Sequence, residues 1–98
     1  KATLVVGTHT HIPTNDARIL KNGTAYQTDA GMCGDYDSVI GMDKKNSINR
    51  FLKENSTKHF PAVGEATLCG VIVDCDLKTG LSNNIESYIF GGQLNNTF

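Results

Sequence analysis

His9 and His11 are the two side chains whose type and spacing could together hold a metal ion. They lie in Gly7-Thr8-His9-Thr10-His11, directly after the apolar run Thr3-Leu4-Val5-Val6, which has the character of a buried strand. Gly7 interrupts that run, and Pro13 disfavours helix at Ile12, so the backbone between them is expected to be extended or irregular. In an extended segment, residues two apart point the same way, roughly 6.5 Å apart at a rise of about 3.3 Å per residue. Both imidazoles would then reach one ion, or straddle a pair of ions about 3.5–4 Å apart. A helix would splay them about 200° around its axis. The same pattern also fits a polar loop rim, because two ligands do not complete a site.

Other groups with chemical potential carry weaker signals. Cys33, Cys69 and Cys75 are odd in number and show no tight pairing pattern, which argues against a disulfide framework. Cys69 and Cys75 would stand about 20 Å apart along one strand, too far to bridge or chelate, and are expected as small buried hydrophobes. Cys33 belongs to Asp29-Ala30-Gly31-Met32-Cys33-Gly34, a two-glycine loop without a lysine at P-loop spacing. Its glycines are expected to relieve backbone strain, the alternative being approach to a substrate. Asp16 with Arg18 fits a solvated pair, the alternative being a part in orienting the site. Asp74 and Asp76 share a face and fit solvated strand-end charges beside a turn, the alternative being a metal-binding carboxylate pair, and His59 has no partner at ligand spacing. Asn22-Gly23-Thr24 and Asn55-Ser56-Thr57 match the glycosylation acceptor pattern, but without a secretory signal they are taken as chance.

Several elements must position these groups. Asn22-Gly23 is a hairpin-turn signal, with Asp16-Ala17-Arg18-Ile19-Leu20 before it and Thr24-Ala25-Tyr26-Gln27-Thr28 as the return strand. A helical turn is expected after Asp37 or Ser38. Asp43 is then the N-cap of a helix near 43–54, with Ile48, Phe51 and Leu52 as a narrow apolar face. A short strand is expected over 57–60. Residues 65–76 are the longest strand candidate, with Val71-Ile72-Val73 suited to cover on both sides and Gly70 marking a bulge or a close backbone contact. Residues 82–90 return beside it, placing Ile85, Ser87 and Ile89 on one face.

The chain has 98 residues, enough for one small domain, and 39% of them are apolar. A net charge of −1 provides no bulk attraction to nucleic acid or an anionic membrane. No apolar run approaches the roughly 20 residues of a membrane span. No secretory pattern is present, so a cytoplasmic location is expected. The first residue is not Met, which suggests a fragment or a processed product.

Gly7-Thr8-His9-Thr10-His11, Asp16-Ala17-Arg18-Ile19-Leu20, Gly23-Thr24-Ala25-Tyr26, Thr28-Asp29-Ala30-Gly31-Met32 and Tyr36-Asp37-Ser38-Val39-Ile40-Gly41-Met42 follow one another in order. In this the chain resembles the C-terminal part of the YmdB-like family of bacterial metallophosphoesterases, from Thr3 to about Gly92 and most densely from Gly7 to Met42. The resemblance implies an α/β fold, the C-terminal part of a two-sheet sandwich with outer helices. Here that part would be mostly β hairpins with the one amphipathic helix. Residues 1–92 would form this portion of a single domain and 93–98 a polar tail. The resemblance further implies that His9 and His11 are metal ligands, one to each of two divalent transition metal ions, iron or manganese. The remaining ligands and the histidine assisting the leaving group would come from an N-terminal portion not contained in this sequence. The whole protein would hydrolyse phosphodiesters of the 2′,3′-cyclic nucleotide type, and these 98 residues alone would be inactive. Two alternatives stand beside this. One is a non-catalytic β-rich module that packs or forms homo-oligomers through its C-terminal hairpin. The other is a stand-alone metal-binding domain.

Overall fold

The computed structural model describes residues 2–55 and 57–97; Ser56, and with it part of the second glycosylation pattern, lies outside them. The chain is α/β, mostly strands with one helix. In order these are β1 (Leu4–Val6), β2 (Arg18–Ile19), β3 (Ala25–Gln27), α1 (Lys44–Phe51), β4 (Leu68–Cys75) and β5 (Ser82–Phe90).

The first sheet has the order β1-β3-β2. β1 runs parallel to β3, with Leu4 opposite Ala25 and Val6 opposite Gln27, while β2 is antiparallel to β3. Parallel pairing has a consequence for the site: β1 and β3 end at the same edge of the sheet. The histidine loop leaves β1 there, and residues 28–31 leave β3 beside it. Gly7 N–H donates to Gln27 O at 3.2 Å, and Ala30 N–H donates to Gly7 O at 2.9 Å. Gly7 is required at this exit because a Cβ there would overlap the Thr28 carbonyl oxygen. The hairpin between β2 and β3 closes with Gly23 N–H donating to Leu20 O at 2.9 Å, and Gly23 alone of the Asn-Gly pair takes positive φ, at 88°. A turn followed by one left-handed glycine replaces the expected pair of left-handed residues.

β4 and β5 form a separate antiparallel ribbon, with Val71 opposite Ser87. Its register shifts between Asp74 and Cys75, not at Gly70, which stays paired with Tyr88. The shift ends the even spacing from Cys69. Cys69 is buried as expected, but Cys75 is exposed, contrary to its expected burial. Ile72 is likewise 42% exposed, so within this chain the Val71-Ile72-Val73 segment is covered on one side only. The face carrying Ser87 turns toward the first sheet, where Gln27 Nε2 lies 3.4 Å from Ser87 Oγ. Ser82 stitches the two sheets together: its N–H donates to Gly23 O at 2.7 Å and its hydroxyl to Thr3 O at 2.6 Å.

Asp43 caps α1 as expected, its Oδ1 accepting from Asn46 N–H at 2.8 Å. The helix is short, and its apolar face is open: Phe51 is 86% exposed. Two expectations nearby fail. Residues 57–60 form no strand, only a bridge between Met42 and Pro61, and residues 36–42 make bends and a tight turn instead of a helical turn. Burial is concentrated on Ala25 and Cys69 and on polar side chains, Gln27, Asp29 and Thr67 being the most enclosed of the larger ones. Among the described residues no helix is long and apolar enough to cross a membrane.

Candidate metal centre

Asp29 organises the edge where β1 and β3 end. It is 2% exposed, and both carboxylate oxygens are occupied. Oδ2 accepts from His9 N–H at 2.7 Å, Thr10 N–H at 2.6 Å and the Thr10 hydroxyl at 2.8 Å. Oδ1 accepts from Gly31 N–H at 2.9 Å, closing an Asx turn over Ala30. Donation from Gly31, and then from Thr10 and His9, holds this carboxyl far below the usual carboxylate range. The residue is therefore an anion whose work is to fold the histidine loop over the strand ends.

A second layer supports the first. The Thr14 hydroxyl accepts from Asp29 N–H at 2.9 Å and donates to Asp16 Oδ1 at 2.6 Å. Asp16 also accepts from Thr28 N–H at 3.1 Å and from the Thr28 hydroxyl. Arg18 lies 3.4 Å from Asp16 and over the Tyr26 ring, 4.9 Å from its centroid. The pair is thus part of the scaffold beneath the loop, and the expectation of a merely solvated pair is too weak for Asp16.

His9 and His11 meet in one depression of about 240 Å³, lined by Thr8, His9, His11, Asp29, Gly31 and Met32. They do so on irregular backbone: His11 has φ 68°, so the chain turns between the two histidines. Gly31, at φ 95°, packs against Pro13, where a Cβ would come within 2.9 Å of the proline nitrogen. The 29–34 loop therefore borders the histidines as well as relieving strain. The His11 ring has a fixed partner: its Nδ1 lies 2.8 Å from Ile40 O. A carbonyl oxygen only accepts, so Nδ1 carries the proton, and in the neutral ring Nε2 is then the nitrogen with the lone pair.

That chemistry fits a metal, since a neutral imidazole with one nitrogen bonded to a carbonyl is the usual form of a histidine ligand. The fit is partial. Asp29 faces backbone and hydroxyl donors, and among the described residues no group of three or more His, Cys, Asp or Glu could hold an ion. His59 lies away from the depression and borders a groove beside α1. Cys33 donates to Cys69 O at 3.2 Å, and Cys69 lies beside the Tyr36 hydroxyl at 3.3 Å. Sequence reasoning missed Asp29 and Ile40. Asp29-Ala30-Gly31 carries a local Asx-turn signal, whereas a backbone carbonyl leaves none.

A family model described as YmdB-like protein matches residues 1–88. The chain is similar to the 2′,3′-cyclic-nucleotide 2′-phosphodiesterase of Bacillus subtilis strain 168, at 48% identity over 86 residues, covering 88% of this chain and 33% of that protein. Among solved structures, it is similar to a novel phosphatase from Mycoplasma pneumoniae, with TM-score 0.81 and 37% identity over 91% of this chain and 32% of the other. A hypothetical protein from Thermus thermophilus is similar with TM-score 0.80 and 36% identity over 95% of this chain and 36% of the other. The chain spans about a third of the length of each of these proteins.

Proposed function

The chain belongs to the YmdB-like protein family, and from that premise we propose that it supplies two histidine ligands, His9 and His11, to the dinuclear centre of a metal-dependent phosphodiesterase. The observation that carries the reading is their convergence on one depression, with the Nδ1 of His11 already committed to Ile40 O. Bound divalent ions, iron or manganese, would lower the pKa of water and offset charge developing on a phosphoryl group. The chain's own residues position the histidine loop. Asp29 fixes the backbone of His9 and Thr10, and Ile40 fixes the ring of His11. The substrate class we propose is a phosphodiester, with 2′,3′-cyclic nucleotides as its natural form, after the activity named for the Bacillus relative. With two histidines and no third clustered donor among the described residues, the other ligands come from the remaining portion of the domain.

The test is made in a protein containing the whole domain. His9→Ala and His11→Ala are each expected to lower bound transition metal and to cut hydrolysis of a bis-aryl phosphodiester by at least about 10-fold, the scale of losing one ligand or its support. Unchanged metal content and rate in both variants would overturn the assignment.

A further inference from the structure

The carbonyl that holds His11 comes from a strained turn. Residues 39–42 close on themselves, Val39 N–H donating to Met42 O at 3.0 Å and Met42 N–H to Val39 O at 2.9 Å. Both central residues lie in the left-handed region, Ile40 at φ 48° and Gly41 at φ 95°. Glycine suits such a position, and Asn-Gly or Asp-Gly are the ordinary occupants of such a turn. A β-branched residue there is a genuine outlier. Strain of this kind persists only where the surroundings over-determine it.

They do so here. Gly41 N–H donates to Ser38 Oγ at 2.8 Å, and Gly41 O accepts from Ala62 N–H at 2.8 Å. Met32 lies against the turn so closely that a Cβ on Gly41 would come within 2.8 Å of its sulfur. The Ile40 side chain, 61% exposed, lines an apolar groove of about 530 Å³ with Ile48 and Phe51 of α1 and with its C-cap Leu52. Its carbonyl is given to His11, which is itself left-handed at φ 68°. Two non-glycine residues in unfavourable backbone thus meet at one hydrogen bond.

We propose that the Ile40-Gly41 turn is a positioning device for His11: it holds the neutral ring as the Nδ1–H tautomer and leaves Nε2 for an electrophile in the depression shared with His9. This rests on the reading of His11 as a metal ligand and deepens it. Ile40 acts through His11 and touches no reacting atom.

The primary measurement is nitrogen NMR of the imidazoles in the metal-free protein, at a pH where both rings are neutral. His11 is expected to show the Nδ1–H signature. Gly41→Ala, with its unfavourable φ and its Cβ against Met32, is expected to return His11 to a mixture of tautomers. Ile40→Asn suits left-handed backbone and keeps the carbonyl, so the signature should survive in it. With Mn²⁺ as the only added ligand, followed by broadening of the His11 signals, affinity should fall about 10–100-fold in Gly41→Ala and hold in Ile40→Asn. An Nε2–H tautomer in the unsubstituted protein would overturn the proposal, and that result needs no variant to fold. A folded Gly41→Ala protein with the original tautomer and Mn²⁺ affinity would overturn it as well. Failure of the underlying reading looks different: His11→Ala would then leave Mn²⁺ affinity unchanged whatever the tautomer.

Discussion

At the scale of single residues, the site depends on carboxylates that never need to touch a ligand. Asp16 shows this in a form that titration can reach. The Thr14 hydroxyl, followed by the Thr28 hydroxyl, lowers its carboxyl from 3.8 to about 2. The folded state therefore binds this proton less readily than the unfolded chain does. The resulting stabilisation is complete above about pH 5, where an unfolded aspartate is almost fully ionised, and is lost progressively as pH falls through about 2. Urea midpoints measured stepwise across that window should fall, and should fall less steeply in Asp16→Asn. Parallel curves for the two proteins would remove Asp16 from the scaffold. That His9 and His11 share one depression was legible as a candidate because imidazole chemistry is written in the residue type. Asp29 was legible only as a local Asx turn to Gly31; its hold on the histidine loop was not, since the His9 and Thr10 amides lie 20 and 19 positions away in the chain. Ile40 was least legible of all, since its contribution is a carbonyl that every residue possesses.

At the scale of elements, the feature that makes a site possible is the parallel pairing of β1 with β3, which brings two loops to one edge. Gly7 is the point where that geometry is least tolerant. Its missing Cβ leaves room for the Thr28 carbonyl, and backbone cannot move aside as a flexible side chain would. Gly7→Ala is expected to cost about 1–3 kcal/mol, the range for forced overpacking, measured as a lowered urea midpoint. It should also raise amide exchange at Ala30, whose N–H donates to Gly7 O. A midpoint equal to that of the unsubstituted chain would show that the two strand ends are free to separate. Locally encoded elements were legible: the Asp43 cap, the Gly23 turn and the β4–β5 hairpin each follow from neighbours in sequence. The turn at residues 39–42 was not, because isoleucine has no intrinsic preference for φ 48° and only contacts from Ser38, Met32 and Ala62 hold it. The bulge between Asp74 and Cys75 was not legible either, because it is a property of the pairing register and not of any glycine.

At the scale of the whole molecule, surface decides behaviour. The chain exposes 6842 Å², whereas a compact monomer of 10.6 kDa exposes about 5,500 Å². Its radius of gyration is 17.0 Å against about 13 Å for a globular chain near this length, and it extends 57 Å along its longest axis. The excess exceeds the roughly 800 Å² that one partner contributes to a standard protein interface. Much of this surface is apolar: Ile48 and Phe51 on α1, Leu52 at its C-cap, and Leu68, Ile72 and Phe90 on the ribbon, are all exposed. Apolar area in water is unfavourable at about 25 cal/mol per Å², so a contact covering it would be strongly favoured. Sheet edges add unpaired N–H and C=O groups to the same surface. These 98 residues by themselves should therefore bind a hydrophobic dye, self-associate as concentration rises and show no phosphodiesterase turnover with Mn²⁺. Phe51→Glu and Ile72→Lys should each reduce association, because a charge placed in an apolar contact must be desolvated. Sedimentation velocity over a wide concentration range is the deciding measurement. A monomer that neither binds dye nor associates would mean the chain folds more tightly in solution, with α1 and the ribbon turned onto each other. Turnover abolished by a chelator and by His9→Ala would show instead that two histidines and solvent suffice for the chemistry, and the remaining ligands would then not be needed from elsewhere.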